Sequence, residues 1–231
     1  MKRLFPKIMK EKIALIDYAC KETGMRSFAD LGGVWGVHGA YTFHALKTCR
    51  IDKAFLVDSD FTTPVKLRRL LHPRLNLVRG NFGNAEIMRS IGSVDTIFLF
   101  DVLLHQVKPD WDEIVRMYAP CTKSFLVYNQ QYTGPKTVRL LDLGEEGYFQ
   151  NVPHPRDQEP YSSLFRRLDE VHPVHNRPYR DVFHIWQWGI TDADLVRVMQ
   201  EQGFEQRYYR NHGQWGGLKN FKGHSFVFQK R

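Results

Sequence analysis

The chain has 231 residues, of which 42% are hydrophobic, 13% aromatic and 25% charged. That length and composition fit one folded domain with a sizeable core, and they exclude a disordered, collagenous or coiled-coil chain. The formal charge of +8 leaves three readings open: a nucleic-acid partner, an anionic small substrate, or solubility alone.

The first 24 residues are basic but hold no unbroken apolar stretch and no small-residue cleavage site, so they read as mature sequence with an N-terminal helix. Lys10 to Lys21 carries Ile13, Leu15 and Ile16 at helical spacing. Phe28 to Leu31 is a short strand running into Gly32-Gly33, and Ala54 to Asp58 is a second. Thr63-Pro64 supplies an N-cap and a first-turn proline for a helix to about Leu71. Leu75 to Val78 and Asp95 to Phe100 are the third and fourth strands; Pro109 opens a helix with Trp111, Ile114 and Val115; Phe125 to Tyr128 is the fifth strand. Apolar runs without alternation, separated by helices, require a parallel sheet covered on both faces. The longest nearly apolar run, Val94 to Leu104, contains two aspartates and is too short to cross a bilayer.

From about Gln130 to Gly189 the rhythm stops, and six of the eleven prolines fall here. A stretch of that length inside one domain reads as a lid-like insert that binds the substrate. Within it cations and acids nearly balance, so the positive excess lies elsewhere, in the N-terminus, in 66–79 and in 207–231. Thr191-Asp192-Ala193-Asp194 reads as a capping box with Asp in the Glu position, opening a helix that ends at Gly203. Two final strands, Glu205 to Tyr209 and Ser225 to Phe228, flank a glycine-rich loop. Cys20, Cys49 and Cys121 show no C-x-x-C pair, which predicts neither a disulfide nor a zinc site and fits a cytoplasmic protein.

Most of the chemistry is concentrated in Asp30-Leu31-Gly32-Gly33-Val34-Trp35-Gly36, where a strand ends in an acid and glycines precede a helix starting near His38. Glycines allow a tight turn and close backbone approach to a ligand. About 22 residues after Gly36 the next strand ends in Asp58, where an acid can accept both hydroxyls of a ribose. Together these indicate a nucleoside-containing cofactor. Val34 stands where a dinucleotide site has its middle glycine, and Asp30 at the strand end repels a pyrophosphate.

This pattern resembles the first motif of the Rossmann-like (class I) S-adenosylmethionine (SAM)-dependent methyltransferases, without its middle glycine. Further along, Gly80-Asn81-Phe82 is similar to the family's glycine-acid-aromatic adenine contact, with Asn for Asp, and Asp101 to His105 resembles its fourth-strand motif. The resemblance covers about 10–129 and 190–229. It implies a doubly wound, mostly parallel seven-stranded sheet with an antiparallel C-terminal strand. It further implies SAM as cofactor, bound by Asp30, Gly32, Gly33, Gly36, Asp58, Asn81, Phe82 and Asp101.

Methyl transfer to a hydroxyl needs alignment and a general base. His105, just past the fourth strand, is the candidate base, with Asp101 beside it; a packing role for His105 stands as the alternative. Asn129, Tyr132, His154, Arg156 and Trp186 are the candidate acceptor contacts, since aromatics with cations suit a sugar or an anionic metabolite. They also suit single-stranded RNA. No separate RNA-binding module is present, and no N-P-P-aromatic motif follows the fourth strand. A small-molecule or saccharide O-methyltransferase is therefore the first expectation. An RNA methyltransferase, a non-catalytic SAM binder and an NAD-dependent short-chain oxidoreductase follow. Tyr132 and Lys136 have the Tyr-x-x-x-Lys spacing of such oxidoreductases, but Gly134-Pro135 breaks the helix they would share. Asp58-Ser59-Asp60 has the D-x-D form of a glycosyltransferase, yet Asp58 already has a ribose to bind. No H-x-x-x-H or H-E-x-x-H spacing occurs, so a metal is not favoured.

Overall fold

The computed structural model describes residues 8–231. Seven strands form one sheet in the order β3 (Leu75–Arg79), β2 (Lys53–Asp58), β1 (Ser27–Leu31), β4 (Val94–Phe100), β5 (Thr122–Tyr132), β9 (Phe221–Lys230), β8 (Phe204–Gln214). The first five are parallel, and β9 runs antiparallel to both of its neighbours, as expected from the sequence.

Adjacent residues on the central strands, such as Leu56 with Val57 and Phe98 with Leu99, are all fully buried. Since successive side chains point to opposite faces, both faces must be covered. One face packs on α1 (Lys10–Glu22), α2 (Ala40–Thr48) and α3 (Thr63–Arg69). The other packs on α4 (Ala85–Ile91), α5 (Trp111–Tyr118) and α8 (Asp192–Glu201). The sequence reading has no counterpart for α4, whose seven residues are too few to show a helical period.

Three local expectations need correction. The strand read as ending at Tyr128 continues to Tyr132, because β9 pairs with it through Tyr132 opposite Phe221. Thr191 does cap α8 by accepting from the Asp194 amide at 3.3 Å, but the Asp side chain does not complete a capping box. Its carboxylate instead accepts from the Thr137 amide at 3.1 Å and from the Thr191 hydroxyl at 3.0 Å, while the Thr191 amide donates to the Thr137 hydroxyl. These bonds push the Asp194 carboxyl down to about 2 and pin the start of the insert to α8. Cys20 and Cys49 form a disulfide with Cα atoms 5.7 Å apart. The expectation of unpaired thiols fails because α1 and α2 pack side by side and bring together cysteines 29 residues apart.

Residues 133–189 gather round a third hydrophobic cluster, which they share with Leu104 after β4 and Phe221 of β9. The two-stranded β6 (Val138–Arg139) and β7 (Trp188–Gly189) close its base, and α6 (Gly144–Gln150) and α7 (Tyr161–Leu164) lie beyond. Leu140, Tyr148, Leu164, Ile185, Trp186 and Phe221 form its centre.

Candidate active site

The site gathers at the carboxyl ends of β1, β2 and β4, where chain direction aims successive loops at one crevice. After β1 the backbone turns through Gly32 at φ +75°, held by its amide donating to the Val57 carbonyl at 2.8 Å. A Cβ on Gly32 would lie 2.8 Å from the Val102 side chain, and one on Gly33 2.3 Å from the Asp30 carboxylate. Gly36, at φ +72°, has open space where its side chain would be. α2 begins after Gly39, two residues beyond the expected start near His38.

Asp30 is fully buried at the end of β1. One carboxylate oxygen accepts from the Thr42 hydroxyl at 2.5 Å; the other has no partner. Burial raises its pKa to about 6, opposed by the Thr42 bond and by the Lys12 ammonium. Asp58, at the end of β2, accepts from the Val34 amide at 2.9 Å and the Ser59 amide at 2.8 Å, one on each oxygen. The Ser59 hydroxyl adds a longer bond at 3.3 Å to the same oxygen as its amide, so the oxygen facing Val34 keeps an acceptor position for a ribose hydroxyl while Asp58 fixes the glycine loop. Asn81 and Phe82 follow β3. The Asn81 carbonyl accepts from the Gly83 amide at 2.8 Å, so the group assigned to an adenine amine already holds its own turn. Phe82 is buried against Gly32, and its backbone carbonyl accepts from Tyr118.

Asp101 follows β4 at φ +57°, with its amide donating to the Tyr128 carbonyl at 2.8 Å. One of its oxygens accepts from the Gln130 amide side chain at 2.8 Å and the other from Lys12. Lys12 is 4% exposed and was not among the residues singled out from sequence. The signal was present: Lys12, Leu15, Ile16 and Ala19 follow the helical period and form the buried face of α1. A lysine inside that stripe needs an acid within reach, and Asp101 supplies it.

His105 lies in a 3-10 turn, Leu103–His105. Its Nδ1 lies 2.8 Å from the Ile185 carbonyl, which can only accept, so the proton sits on Nδ1 and the Nε2 lone pair is left free. Burial pushes its pKa below the usual histidine value, opposed by the Ile185 bond and Asp101. Ile185 belongs to the insert, so the insert sets the tautomer of the candidate base.

The acceptor candidates do not converge in the same way. Asn129 is buried in β5, donating to the Gln130 carbonyl and to the Gln131 side chain, with its own carbonyl unpartnered. Tyr132 packs on Phe221, and Trp186 is buried between Trp215 and Phe221. Arg156 pairs with Glu145 and Glu146 on the outside of the insert. His154 stacks on Tyr161 with ring centroids 4.6 Å apart and carries a pKa lowered by burial. It is also close enough to His105 to disfavour protonation there. Of the five, His154 is therefore the one tied electrostatically to the candidate base. Residues 133–137 hold no helix, so Tyr132 and Lys136 share no helical face. Among the described residues no three His, Cys, Asp or Glu side chains form a metal-binding group, and no helix is long and apolar enough to cross a membrane.

No protein-family model and no curated protein matches the chain. Solved structures do. The N-terminal domain of EvdMO1, crystallised in the presence of SAH and D-fucose, is similar over 97% of this chain and 84% of its own, with 12% identity and a TM-score of 0.60. Magnesium protoporphyrin IX methyltransferase from Synechocystis PCC 6803, with bound SAM, matches 96% of this chain and 79% of its own, at 7% identity and a TM-score of 0.57. An O-methyltransferase family protein from Burkholderia thailandensis matches 96% of this chain at 14% identity and a TM-score of 0.53. This chain spans 56% of that protein's length. The fold is that of the class I SAM-dependent methyltransferases.

Proposed function

We propose that this chain, with its class I methyltransferase fold, is a SAM-dependent enzyme that methylates a hydroxyl of a small molecule or saccharide. The residues present suit that cofactor. Gly32 and Gly33 leave the backbone bare where a Cβ would collide with its surroundings. Asp58 has free acceptor capacity, and the buried carboxylate of Asp30 and the half-buried one of Asp101 suit a ligand carrying positive charge. When bound, SAM supplies a methyl group on a positively charged sulfur that departs as a neutral thioether.

The observation that carries the reading is the fixed tautomer of His105 beside Asp101. With the proton held on Nδ1 by Ile185, Nε2 would be the group to accept the proton of an acceptor hydroxyl, the methyl group being what bound SAM would supply. Asp101 stabilises the imidazolium that results. Asp58 orients the ribose, and the insert covers the reacting atoms from water. A saccharide acceptor is supported by the EvdMO1 domain crystallised with SAH and D-fucose present, and by the aromatic and histidine content of the insert.

The test is transfer of labelled methyl from SAM to a panel of sugars, nucleotide sugars and small phenols. His105→Ala is expected to lower turnover about 10²- to 10⁴-fold with SAH affinity within about twofold of the parent. Labelling of RNA but of no small molecule would overturn the acceptor assignment. Equal losses of turnover and affinity would reduce His105 to a packing residue.

A further inference from the structure

Among the described residues Lys12 is the only buried lysine or arginine. Its ammonium donates to Asp101 and sits 5.1 Å from the ring centroids of Tyr41 and Tyr128 and 5.8 Å from that of Phe100. The neighbours of Lys12 on the same helix face are Leu15, Ile16 and Ala19, so an apolar side chain at this position would complete an ordinary core stripe. Desolvating an ammonium costs several kcal/mol, and a buried ion pair is often no more stable than a well-packed apolar replacement. Packing alone therefore gives no reason for a lysine. Its place does: α1 inserts one cation at the end of β4, into a crevice whose other charged groups, Asp30, Asp58 and Asp101, are all acids.

We propose that Lys12 is the receptor for the carboxylate of the methionyl end of SAM, paired with Asp101 as receptor for its ammonium. This rests on the cofactor reading above. The methionyl end carries one ammonium and one carboxylate, and the Lys12–Asp101 pair offers the complementary charge to each. On binding, one internal ion pair is exchanged for two with the ligand, and no charge is left buried alone. The four-carbon stem of lysine lets the ammonium turn away from Asp101 without moving α1. Gln130 remains on the other Asp101 oxygen and holds that carboxylate in place. Lys12 is thus a specificity residue that selects ligands with an intact amino-acid end.

Calorimetry on the full chain with two probes tests this. SAH and 5′-methylthioadenosine share the adenosine and a neutral sulfur, but only SAH has the amino-acid end. Lys12→Met is expected to weaken SAH about ten- to hundredfold, the loss of one charge-assisted bond, while 5′-methylthioadenosine changes less than about threefold. Lys12→Arg is expected to retain most of the SAH affinity. Should Lys12→Met not fold, Lys12→Gln reports the same contrast, because it can still donate to Asp101 but carries no charge. Unchanged or tighter SAH binding overturns the proposal, the latter marking Lys12 as a plug that competes for Asp101. Equal weakening of both probes overturns it as a general structural loss. A parent protein that binds neither probe overturns the cofactor reading itself, whereas binding by the parent with an indifferent Lys12→Met overturns only the role of Lys12.

Discussion

The crevice above β1, β2 and β4 and the insert at 133–189 are assembled on opposite principles. In the crevice, polar groups hang from strand ends and from backbone turned by Gly32 and Gly33, and the buried Asp30 keeps one oxygen without a partner. In the insert, most cations are already paired with its own acids or carbonyls: Arg156 with Glu145 and Glu146, Arg167 with Glu170, Arg139 with Asp181 and the Arg180 carbonyl. An acid left open at a strand end can take up a ligand, while cations paired within the insert hold its loops together. The difference fits the proposal that the strand ends bind the cofactor and the insert shapes the acceptor site.

Trp186→Ala tests whether the insert is a separate layer and carries the largest expected change in stability. Removing a buried tryptophan costs about 3–5 kcal/mol. The loss is expected as early proteolytic cleavage within 133–189, with SAH binding kept. Cooperative loss of the whole fold would break the distinction between the two regions.

Asp30→Asn tests the crevice. A carboxyl raised from 3.8 to about 6 by burial contributes stability that is present below pH 4 and lost as pH rises through 6. The parent is therefore expected to lose up to about 3 kcal/mol across that window in urea denaturation, and Asp30→Asn to lose almost none of it. Weaker SAH binding in this more stable variant would show stability traded for function.

A smaller shift is expected in the pH profile. Burial of His105 favours its neutral form, so the acid limb of turnover is expected to have its midpoint below 6.5. Replacing Asp101 with Asn removes a group that favours the protonated ring and is expected to move that midpoint lower still. The smallest effect belongs to Arg156→Ala. Its exposed ion pairs with Glu145 and Glu146 are worth within about 0.5 kcal/mol, so melting temperature and turnover are expected to stay nearly constant. A large loss of turnover would restore Arg156 as an acceptor contact.

The central strands were legible because two-sided burial writes itself as unbroken apolar runs, as in Phe55-Leu56-Val57. β8 was read short because an edge strand with exposed Arg207, Arg210 and Asn211 keeps no such pattern and is defined by its bonds to β9. Asp30, Asp58 and Asp101 were legible since each stands at the end of an apolar run. Trp186 and Tyr132 were picked as aromatics suited to an acceptor, but aromatic composition is the same whether a ring lines a cleft or fills a core. Here the core has both rings.

The sequence by itself determined the strand order's ingredients, the glycine turn and the acids at or just past the ends of three strands, because these depend on local period and on residues adjacent along the chain. The tertiary structure alone decided the Cys20–Cys49 bond, the tautomer of His105 and the partner of Lys12. Each of those joins residues 29, 80 or 89 positions apart. Contacts at such separations are chosen by how helices and the insert pack on the sheet, and packing leaves no period in the chain to read.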